Sequence, residues 1–333
     1  MSDTSHRLPW VDVLRIVGCL CVLVTHVEYA GGAGGRRLMA LIDFYGIAGF
    51  MPFFMVSGMF AFSSPRPLGA FLRAKVRRIV VPTVVWSIIY LLANVFAGRL
   101  DWVGFGQRVA MIPLEPQVPQ FWYLYVLLGI YLLTPVLSHW LAQASRRQVE
   151  FYLCVWLVTL FLPFLPLGEL TNITHPLFYF QGYLGVVLLG YYLHRYVAVT
   201  RFRWWLWLLT LGLITVPLWA RFTGMRWSVF SNYLSVNMVG LSCVLFLFVR
   251  WVRWPSFSHR VLNVLGQASY GIYLMHMVII RFIVLPVVEP LHLNYWVGIP
   301  LALVLVSIIC FGLVWLLSHL KCAWILGCSL KKV

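Results

Sequence analysis

The sequence has little charge. Of 333 residues only 10% are Asp, Glu, Lys or Arg, and only nine are acidic. Soluble domains carry about 25% charged residues. With 62% hydrophobic residues, there is too little polar side chain to coat a water-soluble globule. A buried core cannot absorb the excess either, because the apolar runs have no polar face. Lipid is the solvent that tolerates this composition. No hydrophilic stretch is long enough for a second, soluble domain, so one membrane domain over 1–333 is expected. Zinc-type and disulfide-type cysteine spacings are also missing, and no metal site is expected. Cys19, Cys21, Cys154, Cys243 and Cys310 fall in apolar runs, where cysteine packs as a small hydrophobe; Cys322 and Cys328 sit near the C-terminus. No internal repeat, inverted repeat or low-complexity segment is evident. The net charge of +16 would suggest nucleic acid in a soluble protein. Here it is better assigned to cytoplasmic loops, and no nucleic-acid partner is expected.

What is present is a series of apolar runs near the length of a membrane span. They lie at roughly 13–31, 44–62, 79–97, 121–138, 150–166, 177–194, 204–220, 232–250, 268–286 and 295–319. The predicted fold class is therefore all-α, a polytopic membrane protein of about ten transmembrane helices. Trp10, Trp102, Trp204, Trp205, Trp251, Trp254 and Trp296 stand near predicted ends, as an interfacial aromatic belt requires. With a cytoplasmic N-terminus, 18 of the 25 basic residues fall inside. Outside are Arg36, Arg37, Arg99, Arg108, Arg221, Arg226 and, within a helix, Arg281. The positive-inside rule then puts both termini in the cytoplasm. A cleaved signal peptide is disfavoured, because Asp12 and Arg15 interrupt the first apolar run and no soluble domain follows it.

The first span carries Asp12, Arg15 and His26. Eleven residues make about 1100° of helix, three turns plus about 20°, so Arg15 and His26 share a face about 16 Å apart along the axis. Asp12 lies one turn below Arg15 as an ion-pair partner. Charged side chains inside membrane helices cost free energy and usually face a polar cavity. The plain alternative is a structural Asp12–Arg15 pair and a hydrogen-bonded His26. Glu28 is about 200° round from His26 and is not expected to orient it.

These residues, Asp12-x-x-Arg15 and then His26, resemble the first-helix motif of the acyltransferase-3 family, whose members O-acylate bacterial surface saccharides. Phe53-Phe54-Met55-Val56-Ser57-Gly58 resembles its Phe-Phe-x-x-Ser-Gly segment. Arg73-Ala-Lys75-Val-Arg77-Arg78 leading to Pro82 resembles its basic loop. Phe121-Trp122-Tyr123-Leu124, ending at Pro135, is similar to its His-Leu-Trp-Phe-Leu…Pro helix. Ser269-Tyr270-Gly-Ile-Tyr273-Leu-Met-His276 is similar to its late tyrosine–histidine helix. One departure is Gln120, where many members have histidine; it puts the acceptor in question. Many members also carry a soluble hydrolase-like domain after the membrane part. None appears before Val333, so this domain is expected to act alone or with a borrowed partner.

The resemblance implies an O-acyltransferase, most often an acetyltransferase, of the bacterial inner membrane. The donor is acyl-CoA, with acetyl-CoA the commonest, and no cofactor is permanently bound. The acceptor is a saccharide or lipid-linked saccharide. Membrane lipid, a second copy or an envelope-assembly protein are the other expected partners. His26 is then the general base, since imidazole titrates near working pH, or alternatively the acyl-carrying nucleophile. Arg15, paired with Asp12, is an anchor or oxyanion stabiliser. Arg73, Lys75, Arg77 and Arg78 are candidates to hold the donor's phosphates, although a basic loop is commonly a topology signal and a lipid contact. Ser57, Trp122, Tyr123, Tyr270, Tyr273 and His276 are candidates to line the acceptor site. The plainer roles are helix packing for Ser57, interfacial anchoring for Trp122, and an interhelical hydrogen bond for His276. Glu169, His175, Glu289 and His292 fall in predicted outer loops. A transporter or flippase of a lipid-linked sugar, using the same polar residues without covalent chemistry, is the competing class; an assembly subunit of an envelope polysaccharide machine is a third.

Overall fold

A computed structural model describes residues 8–27, 33–62, 67–164, 176–199, 204–223, 228–255, 259–320 and 322–328. Most of those residues are helical, with no strand among them. In chain order the main helices are α1 (Pro9–His26), α2 (Ala33–Ala61), α3 (Leu68–Phe96), α4 (Trp102–Met111), α5 (Trp122–Gln143), α6 (Arg146–Phe161), α7 (Tyr183–Tyr196), α8 (Trp204–Thr223), α9 (Val236–Trp251), α10 (His259–Leu291) and α11 (Tyr295–His319). Among the described residues eight segments are long and apolar enough to cross a membrane, so the protein is polytopic. The other two expected spans are present as helices but are shorter, α7 with 14 residues and α9 with 16. α7 starts late because Gly182, at φ 110°, breaks the backbone before Tyr183. Apolar side chains along the spans are widely exposed, among them Leu132, Val136, Leu208 and Ile308. Exposure of that kind is what a lipid-facing surface requires.

Close backbone contacts divide the chain into two compact units. The first holds Met1–Gly18, Phe44–Pro65 and Thr134–His259; the second holds Cys19–Asp43, Arg66–Leu133 and Arg260–Val333. Inside the first unit, α2 and α7 meet through glycine. A Cβ on Gly58 would lie 1.9 Å from the Val187 carbonyl oxygen, and one on Gly190 would lie 2.2 Å from that of Met55. Small residues let membrane helices approach to backbone contact, where dispersion replaces the hydrophobic effect as the attraction. Arg250 donates to the Leu193 and Val197 carbonyls at 2.7 and 2.8 Å and so satisfies the C-terminal end of α7.

In the second unit, α3 and α10 share a device. Each contains a π-helical stretch, Val76–Val80 and Ile280–Val284. A proline follows each, at Pro82 and Pro286. Proline offers no N–H and its ring crowds the carbonyl four residues back, so a wider turn accommodates it. The C-terminal turn Ala323–Leu326 seats on α3. Trp86 Nε1 donates to the Ile325 carbonyl at 3.0 Å, and Gly327, at φ 60°, leaves no room for a Cβ against the Arg78 carbonyl oxygen.

The α2–α7 crossing generates a test. Gly58→Val should destabilise the purified protein by about 1–3 kcal/mol, the usual cost of overpacking. Gly212→Ala, where a Cβ meets nothing within 4 Å, should be neutral or stabilising by up to about 1 kcal/mol. Thermal unfolding of both variants in detergent measures the difference.

Candidate active site

α1 is α-helical without interruption from Pro9 to His26. The expected ion pair is there: Arg15 Nη1 donates to Asp12 Oδ1 at 3.1 Å. The Arg15 guanidinium also lies 5.8 Å from the Phe60 ring. Both residues belong to the first unit, as does the half-buried Ser57. His26 belongs to the second unit, and the rest of the expected acceptor-site residues are there with it.

The His26 ring is half-buried, and its Nδ1 lies 2.7 Å from the Val22 carbonyl oxygen and 3.2 Å from Thr25 Oγ1. A carbonyl only accepts, so Nδ1 carries the hydrogen and the Nε2 lone pair is left for chemistry. His276 is fully buried and follows the same pattern, with Nδ1 2.6 Å from the Tyr273 carbonyl oxygen. Its Nε2 is buried without a hydrogen-bond partner. His276 therefore bonds along its own helix, and the interhelical bond considered from sequence is not what holds it. The two imidazoles meet edge to face, with centroids 5.1 Å apart at 80°.

Around this pair the expected aromatics assemble. Tyr273 and His276 have centroids 5.8 Å apart, and Tyr123 packs edge-on to Tyr273 at 6.0 Å. Tyr270 stacks on Tyr273 at 6.5 Å, and Trp122 packs edge-on to Tyr123 at 6.4 Å. The Tyr273 hydroxyl donates to the Gln120 carbonyl. Gln120 Nε2 donates to the Tyr90 hydroxyl at 3.0 Å, and Tyr90 donates to the Leu274 carbonyl at 3.2 Å. The Val278 N–H donates back to Tyr90 at 3.3 Å. Ser269 donates to the Gly266 carbonyl at 2.8 Å, within its own helix.

A family model described as an acyltransferase domain matches residues 8–319, nearly the whole chain. The chain belongs to the acyltransferase-3 family. No curated protein and no solved structure matches it. It is a multi-pass membrane acyltransferase.

The basic residues of the acyltransferase lie at the N-terminal end of α3. Arg73, Arg77 and Arg78 are exposed. Lys75 is half-buried, with its ammonium 3.5 Å from the Tyr131 ring centroid and 5.2 Å from that of Phe71, a cation–π setting. Along α3, Arg78 and Tyr90 are about 18 Å apart at 1.5 Å per residue. Tyr90 stands at the level of Leu274 and Val278, and hence of His276. Glu289, in the last turn of α10, and His292, just after it, are exposed, while Glu28, Glu169 and His175 lie outside the described residues. Sequence reasoning missed Tyr90 altogether, and it saw Gln120 only as a departure from the family pattern. A polar residue inside an apolar run, as Tyr90 is in α3, was the available signal.

Tyr90 accepts two hydrogen bonds and donates one. Tyr90→Phe should leave the Gln120 amide and the Val278 N–H short of an acceptor and cost about 1–3 kcal/mol. Thermal unfolding of the detergent-solubilised protein checks it, with no loss expected of the helical content measured by circular dichroism.

Proposed function

We propose that the protein is an O-acyltransferase of a bacterial inner membrane that moves an acyl group, most often acetyl, from cytoplasmic acyl-CoA to a hydroxyl of a cell-envelope saccharide. The observation that carries this reading is the His26 ring: its Nδ1–H is anchored to Val22 and Thr25, and its Nε2 stands free beside a second imidazole with an unpartnered Nε2. In the reaction, His26 Nε2 takes the proton of the acceptor hydroxyl as its oxygen bonds to the thioester carbonyl carbon. The tetrahedral oxyanion collapses, the C–S bond breaks, and the coenzyme A thiolate takes the proton back from the imidazolium. His276 holds the acceptor hydroxyl or hands on its proton. Tyr123, Tyr270, Tyr273 and Trp122 give the sugar apolar faces to lie against. Ser57, beside the α2–α7 crossing, acts in packing.

Arg73, Arg77 and Arg78 hold the phosphates of the donor, with Lys75 set among aromatic rings behind them. The extended pantetheine arm has the length to carry the thioester the distance from Arg78 to the level of His276. Arg15, neutralised by Asp12, anchors the cytoplasmic end of α1.

Two outcomes test this. In membranes supplied with radiolabelled acetyl-CoA, His26→Ala should lower transfer of label to saccharide by about 10²–10⁴-fold, the scale of a lost general base, with the protein still folded; label transferred at the wild-type rate removes His26 from the mechanism. Arg73→Glu, Arg77→Glu and Arg78→Glu together should weaken acetyl-CoA binding by about tenfold or more, as loss of charge-assisted phosphate contacts does. Unchanged affinity would return the basic loop to a purely topological role.

A further inference from the structure

A second polar feature of the same unit has no part in the reaction as written. At the C-terminal end of α3 there is a cavity of about 220 Å³, lined by Arg99, Arg108, Arg281, Asn94, Gln117 and Gln120, with Tyr90 and Met277 beside them. The three arginines come from three separate elements: the turn after α3, α4 and the π turn of α10. Among the described residues no Asp or Glu lines the cavity. The ion pairs among the described residues, Asp12–Arg15 and Arg146–Glu150, involve none of the three. Arg99 lies 5.2 Å from the Phe282 ring, which positions the guanidinium without neutralising it. Arg281 is exposed in the last third of the segment His259–Leu291, where an arginine is uncommon and usually faces a polar cavity. On the orientation argued from loop charge, these are three of the few basic residues on the outer side, so topology does not account for them.

The base of the cavity is the second clue. Gln120 is 5% exposed, its Nε2 is committed to Tyr90, and its Oε1 is buried without a donor. Three unneutralised guanidiniums call for a ligand group with more than one negative charge, which phosphate or diphosphate supplies and a single carboxylate does not. A lone buried acceptor calls for a hydroxyl on the same ligand. The cavity is smaller than the roughly 300–1,000 Å³ that encloses a whole small molecule, so it seats one group of a larger one.

We infer that this cavity is the phosphate subsite of the acyl acceptor, holding the phosphate or diphosphate on which the acceptor sugar is carried and placing a sugar hydroxyl at Gln120, beside the His26–His276 pair. The inference rests on the transferase reading above and narrows its acceptor to phosphorylated saccharides. Donor and acceptor phosphates would then occupy opposite ends of α3.

The test uses the full-length protein in phosphatidylcholine nanodiscs, with coenzyme A in excess to fill any donor site and inorganic pyrophosphate as the titrated probe. Wild type should bind pyrophosphate saturably. Arg281→Gln and the double variant Arg99→Gln/Arg108→Gln should each weaken it at least tenfold. Arg281→Lys, which keeps the charge and loses the bidentate fork, should fall between, and Arg147→Gln should match wild type. Equal affinity across these variants overturns the subsite. So does tighter binding of malonate than of pyrophosphate, which would make it a carboxylate site. So does loss of pyrophosphate binding when phosphatidylglycerol replaces phosphatidylcholine, which would make it a lipid-headgroup site. No acyl transfer is read, so this result stands or falls separately from that of His26→Ala.

Discussion

Hydrocarbon offers no water to a polar group, so each one inside a span must be satisfied by the protein or carry a cost. Most hydroxyls here meet that constraint locally. Thr83 donates to Ile79, Thr210 to Leu206, Ser242 to Met238 and Ser307 to Leu303, each one turn back along its own helix. Where a helix can close its own hydrogen bonds, a polar side chain says little about function. The informative atoms are those left over. Seven buried side-chain polar atoms among the described residues have no hydrogen-bond partner; two of them, His276 Nε2 and Gln120 Oε1, lie in the second unit on one connected network through Tyr273 and Tyr90. On the proposed reading the acceptor supplies the partners that these two groups lack in the bare protein.

The same constraint explains how much of the fold was legible. Long apolar runs are forced into helices, and among the described residues each predicted span overlaps a helix, eight of them long and apolar enough to cross a membrane. Their lengths were harder to read, because α7 starts where Gly182 and not hydropathy dictates. The Asp12–Arg15 pair followed from spacing alone, since i and i+3 share a helix face. So did the common face of Ser269, Tyr273 and His276, all buried. Gln120 was not legible in its role. Its meaning depends on Tyr90, thirty residues away, and on the α10 backbone. The arginines of the cavity were less so still, because positions 99, 108 and 281 acquire a common purpose only through folding. Pro82 and Pro286 were the available hints that α3 and α10 change pitch, and the changes fall at Arg77, Arg78 and Arg281.

Local helix bonds also settle which nitrogen of each imidazole is free. A histidine whose Nδ1 serves the carbonyl of its own helix is fixed in tautomer without any carboxylate partner. That arrangement suits a membrane, where a buried carboxylate would need its own counter-charge. His139 and His319 make the same bond, to Pro135 at 2.7 Å and to Trp315 at 2.8 Å, but they are exposed. The bond is therefore not the signature of the site. What distinguishes His26 and His276 is that two such rings meet, so that two fixed lone pairs share one small volume.

On the proposed reading, charge then decides where the acyl group has to travel. The nucleotide of an acyl-CoA is far too polar to enter hydrocarbon, and so is a sugar phosphate. Each has to stay near an end of the spans, and only the uncharged thioester arm and a sugar hydroxyl can approach the middle. Unit two meets that requirement with arginines near both ends of α3 and uncharged polar groups between them: Tyr90, Gln120, Tyr273 and the two imidazoles. Had the guanidiniums stood beside His26, they would have drawn phosphate, and with it water, to the reacting carbonyl, where water competes as the acyl acceptor. On the proposed reading, separation along the helix keeps the donor's binding charges apart from the dry chemistry, and the length of the pantetheine arm allows that separation.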